Sequence, residues 1–212
     1  MTPAADLANY VAQKFIKTAP PDLTALCRDL GLRIREVPAN GFDGALVRSK
    51  AGQKGIVAVK ASIREKSRKR FTIAHEIGHF VIPHHRNLGN ICEDRKIESF
   101  DRHLNQPEIE ANEFAAELLL PSALLRRRFN LAEFSLAQIS AVAADFETSL
   151  TATTRSYLTL TDLPPSMLSL RLPLQHSGET GPLEPCGSQV ARTAARPERL
   201  EKTEDCRAAR EV

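Results

Sequence analysis

The chain has 212 residues, 42% of them hydrophobic and 26% charged, with a formal net charge of +3, enough to bury the core of one ordinary domain and carry a small appendage. No run approaches the eighteen or so apolar residues of a membrane span, and no basic region precedes an apolar stretch behind Met1, so neither an anchor nor a signal peptide is expected and the location expected is the cytoplasm. In that setting Cys27, Cys92, Cys186 and Cys206, which form no C-x-x-C pair, are expected to be reduced thiols.

Leu7, Ala8, Val11, Ala12, Phe15 and Ile16 recur at the spacing of an amphipathic helix. Pro20-Pro21-Asp22 ends that pattern and opens a short second helix through Leu23, Leu26, Cys27 and Leu30, closed by Gly31. Alternation in Leu32–Val37 predicts a half-covered strand, and Gly44–Val47 and Gly55–Val59 predict two more, joined by a turn-like Ser49–Gly55. A basic run follows: Arg48, Lys50, Lys54, Lys60, Arg64, Lys66, Arg68, Lys69 and Arg70, with Glu65 the only acid inside it. Such a run reads first as a solvated loop, and second as a surface for nucleic acid or an acidic partner.

The stretch Phe71-Thr-Ile-Ala-His75-Glu76-Ile-Gly-His79-Phe80 carries the chemistry. Its apolar neighbours, with Pro83 at the end, predict a buried helix of about three turns. Residues four apart share a helix face, so His75 and His79 can aim ring nitrogens at one ion about 2.0–2.1 Å away. This is the zincin pattern. Burying His, Glu and His without partners costs roughly 1–3 kcal/mol per group, and a metal would satisfy them together. Glu76, beside the metal and not bound to it, can take a proton from a water whose pKa the metal lowers to roughly 7, which is the chemistry of amide hydrolysis.

A third ligand is available on a second predicted helix, Pro107–Leu120, where Pro107 suits the first turn and Glu108, Glu110 and Glu113 suit its positive end. If Glu108 takes the third position, Asn112, four residues on, can hydrogen-bond a ligating histidine and fix its tautomer. Two His and one Glu leave a fourth position for water, the mark of a catalytic site. Glu110 and Glu113 read as solvated charges on the outer face. The polar stretch between the helices, with His84, His85, Cys92 and His103, reads as loop bordering a cleft, and a histidine there could stabilise an oxyanion.

Beyond Pro121 come Ser122–Leu125, the triplet Arg126-Arg127-Arg128, a helix opened by the capping box Ser135-Leu-Ala-Gln138, a turn at Asp145–Thr148 and a helix from about Ser149 through Leu158. They read as packing helices. The competing reading, a helix-turn-helix, leaves only Thr151, Thr153, Thr154 and Arg155 to read bases. After Pro164 prolines, glycines and charges break all periodicity, so residues 166–212 are expected to be a flexible or disordered tail.

The pair of motifs, Arg70-Phe-Thr-Ile-Ala-His-Glu-Ile-Gly-His79 and Glu108-Ile-Glu-Ala-Asn-Glu-Phe-Ala-Ala-Glu-Leu-Leu-Leu-Pro121, resembles the ImmA/IrrE family of metallo-endopeptidases across roughly residues 5–165. The resemblance implies an α+β fold in residues 1–165: a minimal thermolysin-like zincin, with a small sheet packed on the HExxH helix and a helical C-terminal part. It also implies that His75, His79 and Glu108 bind zinc and that Glu76 is the general base. Members often sit beside a helix-turn-helix repressor and cleave it, so the partner expected is a protein substrate of that kind, with no direct nucleic-acid or membrane binding. A two-His, one-carboxylate site accepts zinc or manganese. The tail departs from the family pattern, in which a small globular portion often follows. Two other functions remain open at this point: a zinc-stabilised regulator, of toxin-antitoxin type for example, that binds its partner without cutting it, and a DNA-binding protein using Arg126–Arg128.

Overall fold

In a computed structural model, residues 2–16, 18–49, 52–87, 91–93, 105–130 and 135–161 are described. Helix α1 (Pro3–Phe15) starts where the Thr2 hydroxyl accepts from Ala5 N–H, and it buries Ala4, Ala8, Val11 and Ala12, close to the expected stripe. Asp22 caps α2 (Leu23–Asp29) in the same way, accepting from Ala25 N–H at 2.9 Å. Gly31, at φ +76°, then turns the chain into β1 (Leu32–Val37). A side chain there would be strained and would meet Gln53 O at 3.0 Å.

Strands β2 (Phe42–Arg48) and β3 (Gly55–Lys60) form the expected antiparallel hairpin, with Leu46 opposite Val57. Two features of the sheet go beyond the sequence reading. β1 pairs with β3 in parallel, Ile34 beside Val57. A short β4 (Ile91–Glu93), in what reads as loop, pairs antiparallel with β2, so the order is β1-β3-β2-β4 and the edges are β1 and β4. Leu46, Val57 and Val59 point into the core, whereas Val47 and Ile56, one residue out of phase, are exposed. The sheet is therefore covered on one face.

The covering helix is α3 (Lys66–Val81), which begins several residues earlier than its apolar run predicts, so Lys66 to Arg70 lie in its opening turns and not in a loop. Their charges are taken up inside the domain. Arg68 Nε donates to Asp43 at 2.7 Å, Lys69 pairs with Glu36 at 3.0 Å, and Lys66 and Arg70 pair with Glu147. Arg48 donates to the carbonyls of His79 and Phe80 at the C-terminal end of α3, where helix carbonyls lack internal partners, and stacks over the Phe80 ring. These residues are therefore helical and paired with acids on other elements, not a loop, although the Lys66 and Arg68 side chains keep much of their surface in water.

Helix α4 (Gln106–Leu119), capped by Asn105, crosses α3 closely: a Cβ on Gly78 would stand 3.1 Å from the Phe114 ring. On its far side α4 packs against α1, and Ile77, Ala74, Phe114, Ala115 and Leu118 join one core with Ala8 and Val11. A C-terminal group of helices follows, α5 (Ser122–Arg128), α6 (Leu136–Phe146) and α7 (Leu150–Leu160), where Phe129 meets Tyr157 edge-on at 5.1 Å. Thr153 of α7 is fully buried and bonds Ser149 O, and Thr154 bonds Leu150 O, so neither is held out for base reading. The fold is α+β, mostly helical, as a small zincin requires. All described residues fall in one compact unit, Met1–Thr161, and the tail expected from 166 onward lies outside them.

Candidate metal centre

His75 and His79 stand one turn apart on α3, and the first turn of α4 brings Glu108 to them. His75 Nε2 lies 3.0 Å from His79 Nε2 and 3.2 Å from one Glu108 oxygen, and His79 Nε2 lies 3.5 Å from the other. A tetrahedral ion with bonds of 2.0–2.1 Å holds its ligand atoms about 3.3 Å apart. The two histidine nitrogens stand close to that separation from each other, and each stands close to it from one of the two Glu108 oxygens. All three residues are buried.

The protonation of His75 agrees. Its Nδ1 lies 2.9 Å from Asn112 Oδ1, an oxygen that can only accept, so Nδ1 carries a proton, and Nε2 is the nitrogen turned to Glu108 and His79. Burial opposes ionisation of Glu108, but hydrogen bonds from His75 and His79 outweigh it and hold the carboxyl well below the usual carboxylate range. An ionised oxygen, two imidazoles and a buried setting make a donor set that a divalent ion fits. Asn112 falls where the i, i+4 spacing from Glu108 places it.

Glu76 is fully buried, on the side of α3 that meets β2. The absence of a side chain at Gly44 makes that approach possible, since a Cβ there would stand 2.6 Å from both Glu76 Oε1 and Thr72 Cγ2. The sequence reading did not find this role for Gly44, because a glycine in a strand carries no signal of what approaches it.

A second constellation adjoins the first. A short 3-10 helix, Pro83–Asn87, follows α3 and turns His85 inward, where its Nδ1 lies 3.0 Å from His79 Nδ1. On its other side His85 Nε2 reaches Glu110 Oε2 at 3.0 Å, and the exposed His84 reaches the same oxygen at 2.5 Å. Glu110 is thus no free surface charge: burial works against its ionisation, but bonds from Gln106, His85 and His84 bring its carboxyl down to about 2. His85 is buried, and that burial lowers its pKa against the opposing pull of Glu110. His103 lies outside the described residues.

A helix bearing His-Glu-x-x-His under a small sheet, with a glutamate delivered by the next long helix, defines a zincin-like metallopeptidase. The family model described as the IrrE N-terminal-like domain, Peptidase_M78, matches residues 27–155, a span from α2 into α7 that contains every residue of the centre. The chain belongs to this family, and a metallopeptidase function follows in general terms. No curated protein matches the chain. Among the described residues no helix is long and apolar enough to cross a membrane.

Proposed function

We propose that the chain is a zinc-dependent endopeptidase that cuts a partner protein at a specific bond, and that the partner is a helix-turn-helix repressor whose genes are thereby released. The observation that carries the hydrolytic reading is the convergence of His75, His79 and Glu108, whose donor atoms lie within 4.8 Å of one another, beside the buried Glu76. The choice of partner rests on the resemblance of the two motifs to the ImmA/IrrE endopeptidases. Zinc suits three nitrogen and oxygen donors with a position left open, and manganese would also be accepted.

In this reading His75, His79 and Glu108 hold the ion, which supplies Lewis acidity toward water and the scissile carbonyl. Glu76 takes the proton of the attacking water and passes it to the leaving amine. The charge of Glu108 offsets part of the charge of the ion, and Asn112 keeps the His75 ring oriented. An extended substrate would add to the sheet at β4, the edge next to β2, with backbone hydrogen bonds holding the scissile bond near Glu76.

The reading is tested by substitution. Alanine at His75, His79 or Glu108 releases zinc, whereas Glu76→Gln keeps zinc and loses turnover. Cleavage by the Glu76→Gln chain at the wild-type rate would sink the mechanism.

A further inference from the structure

The contacts of His85 fix where protons sit around His79. An ionised carboxylate can only accept, so the 3.0 Å contact from His85 Nε2 to Glu110 Oε2 places a proton on His85 Nε2. A His79 that ligates through Nε2 keeps its ring proton on Nδ1, the atom that faces His85 Nδ1 at 3.0 Å. His79 is then the donor across that contact and His85 Nδ1 the acceptor. His85 is thereby left with its one proton on Nε2, the atom that meets Glu110, and His79 Nε2 is the atom turned to His75 and Glu108.

We propose that His85 and Glu110 are positioning residues for the metal centre: a Glu110–His85–His79 relay selects the tautomer and ring orientation in which His79 can ligate. The inference rests on the metal-centre reading given above. It makes the two ligating arms equivalent in logic and different in construction. His75 is oriented directly by an amide oxygen of α4, and His79 indirectly, through one more ring, by a carboxylate of the same helix. Glu110 is itself held in place, since its second oxygen accepts from Gln106 Nε2 at 3.0 Å. Asn112, Glu108 and Glu110 thus act from two turns of one helix on both histidines of another.

The same side chains admit a competing use, in which His84, His85 and Glu110 bind a second ion. Proton counting separates the two. An ion on His85 Nε2 would displace the proton given to Glu110, move the remaining His85 proton to Nδ1, and set two N–H groups against each other across the 3.0 Å contact with His79.

The experiment uses the full chain and zinc alone. Zinc is counted by native mass spectrometry, its dissociation constant is measured by competition with a chromophoric chelator, and ring protonation is read from histidine nitrogen shifts in the zinc-loaded protein. The wild type should bind one zinc, with His79 protonated on Nδ1 and His85 on Nε2. His85→Phe should weaken zinc binding roughly 10–100-fold. His85→Asn, whose amide oxygen takes the place of Nδ1 much as Asn112 serves His75, should recover most of that loss. Unchanged affinity in His85→Phe, or a His85 proton on Nδ1, would overturn the relay. Two zinc ions per chain, one lost in His84→Ala, would overturn it in favour of the second site. Should His85→Phe fail to fold, the wild-type nitrogen shifts decide alone. A wild type that binds no zinc, or binds it equally well as His79→Ala, defeats the metal-centre reading itself and the relay with it.

Discussion

Gly44 of β2 lies so close to Glu76 of α3 that a Cβ on Gly44 would stand 2.6 Å from the Glu76 carboxylate. A strand backbone thus forms one wall against the side chain proposed as the general base. Gly44→Ala must move Glu76, Thr72 or the strand. Overpacking of this kind costs about 1–3 kcal/mol, and displacement of a catalytic group by about 1 Å can cost about 100-fold in rate. The variant should keep its zinc, melt lower and lose at least tenfold in turnover; calorimetry, metal content and a cleavage rate check the three parts. Wild-type turnover would show that Glu76 is not confined by this contact.

Asp43 is almost fully buried, accepts from Arg68 and has Lys60 at 3.6 Å, whereas the Arg68 side chain is 45% exposed. The two ways of breaking the pair are therefore unequal. Asp43→Asn leaves a guanidinium that water can solvate, and should cost about 1 kcal/mol. Arg68→Met removes the closer cation from a buried carboxylate and leaves it only Lys60 at 3.6 Å, and losing one partner of a buried charge costs up to about 3–5 kcal/mol. At pH 7 Arg68→Met should lower the denaturation midpoint more than Asp43→Asn, and the reverse order in urea titrations would contradict this assignment.

Burial pushes the Cys27 thiol up to about 12. The unfolded thiol ionises near 8.5, so folding disfavours the thiolate. The stabilisation is fully present below about pH 8.5 and is lost as pH rises from there toward 12. Iodoacetamide at pH 8 should leave Cys27 unlabelled in the folded chain and label it in urea, as read by peptide mapping. Rapid labelling of the native protein would place Cys27 at the surface.

The residues that carry chemistry were legible where a single helix or a single spacing sets their geometry. His75 and His79 share a face of α3 because they are four apart, and Glu108 and Asn112 share a face of α4 for the same reason. Most element boundaries followed local signals such as Asp22, Gly31, Pro83 and Ser135. What escaped depends on contacts between elements distant in sequence. Arg68 and Asp43 are 25 residues apart, as are His85 and Glu110. No periodicity links such pairs, so a basic run read as loop and Glu110 read as solvated. The parallel pairing of β1 with β3 was hidden likewise, because two strands with similar alternation do not declare their order in a sheet. The start of α3 was placed too late because its first turn carries charges instead of core residues. Those charges meet Asp43, Glu36 and Glu147.

The most direct test of the account is a cleavage assay read by mass spectrometry. The purified chain with zinc is incubated with the proposed substrate, a helix-turn-helix regulator taken from its gene neighbourhood, in parallel with the zinc-loaded Glu76→Gln variant. The account predicts one new pair of peptide termini with the wild type and none with the variant. The same termini from both chains would contradict the role of Glu76, and an intact regulator that still co-purifies with the zinc-loaded wild type would contradict the endopeptidase reading in favour of a partner-binding regulator.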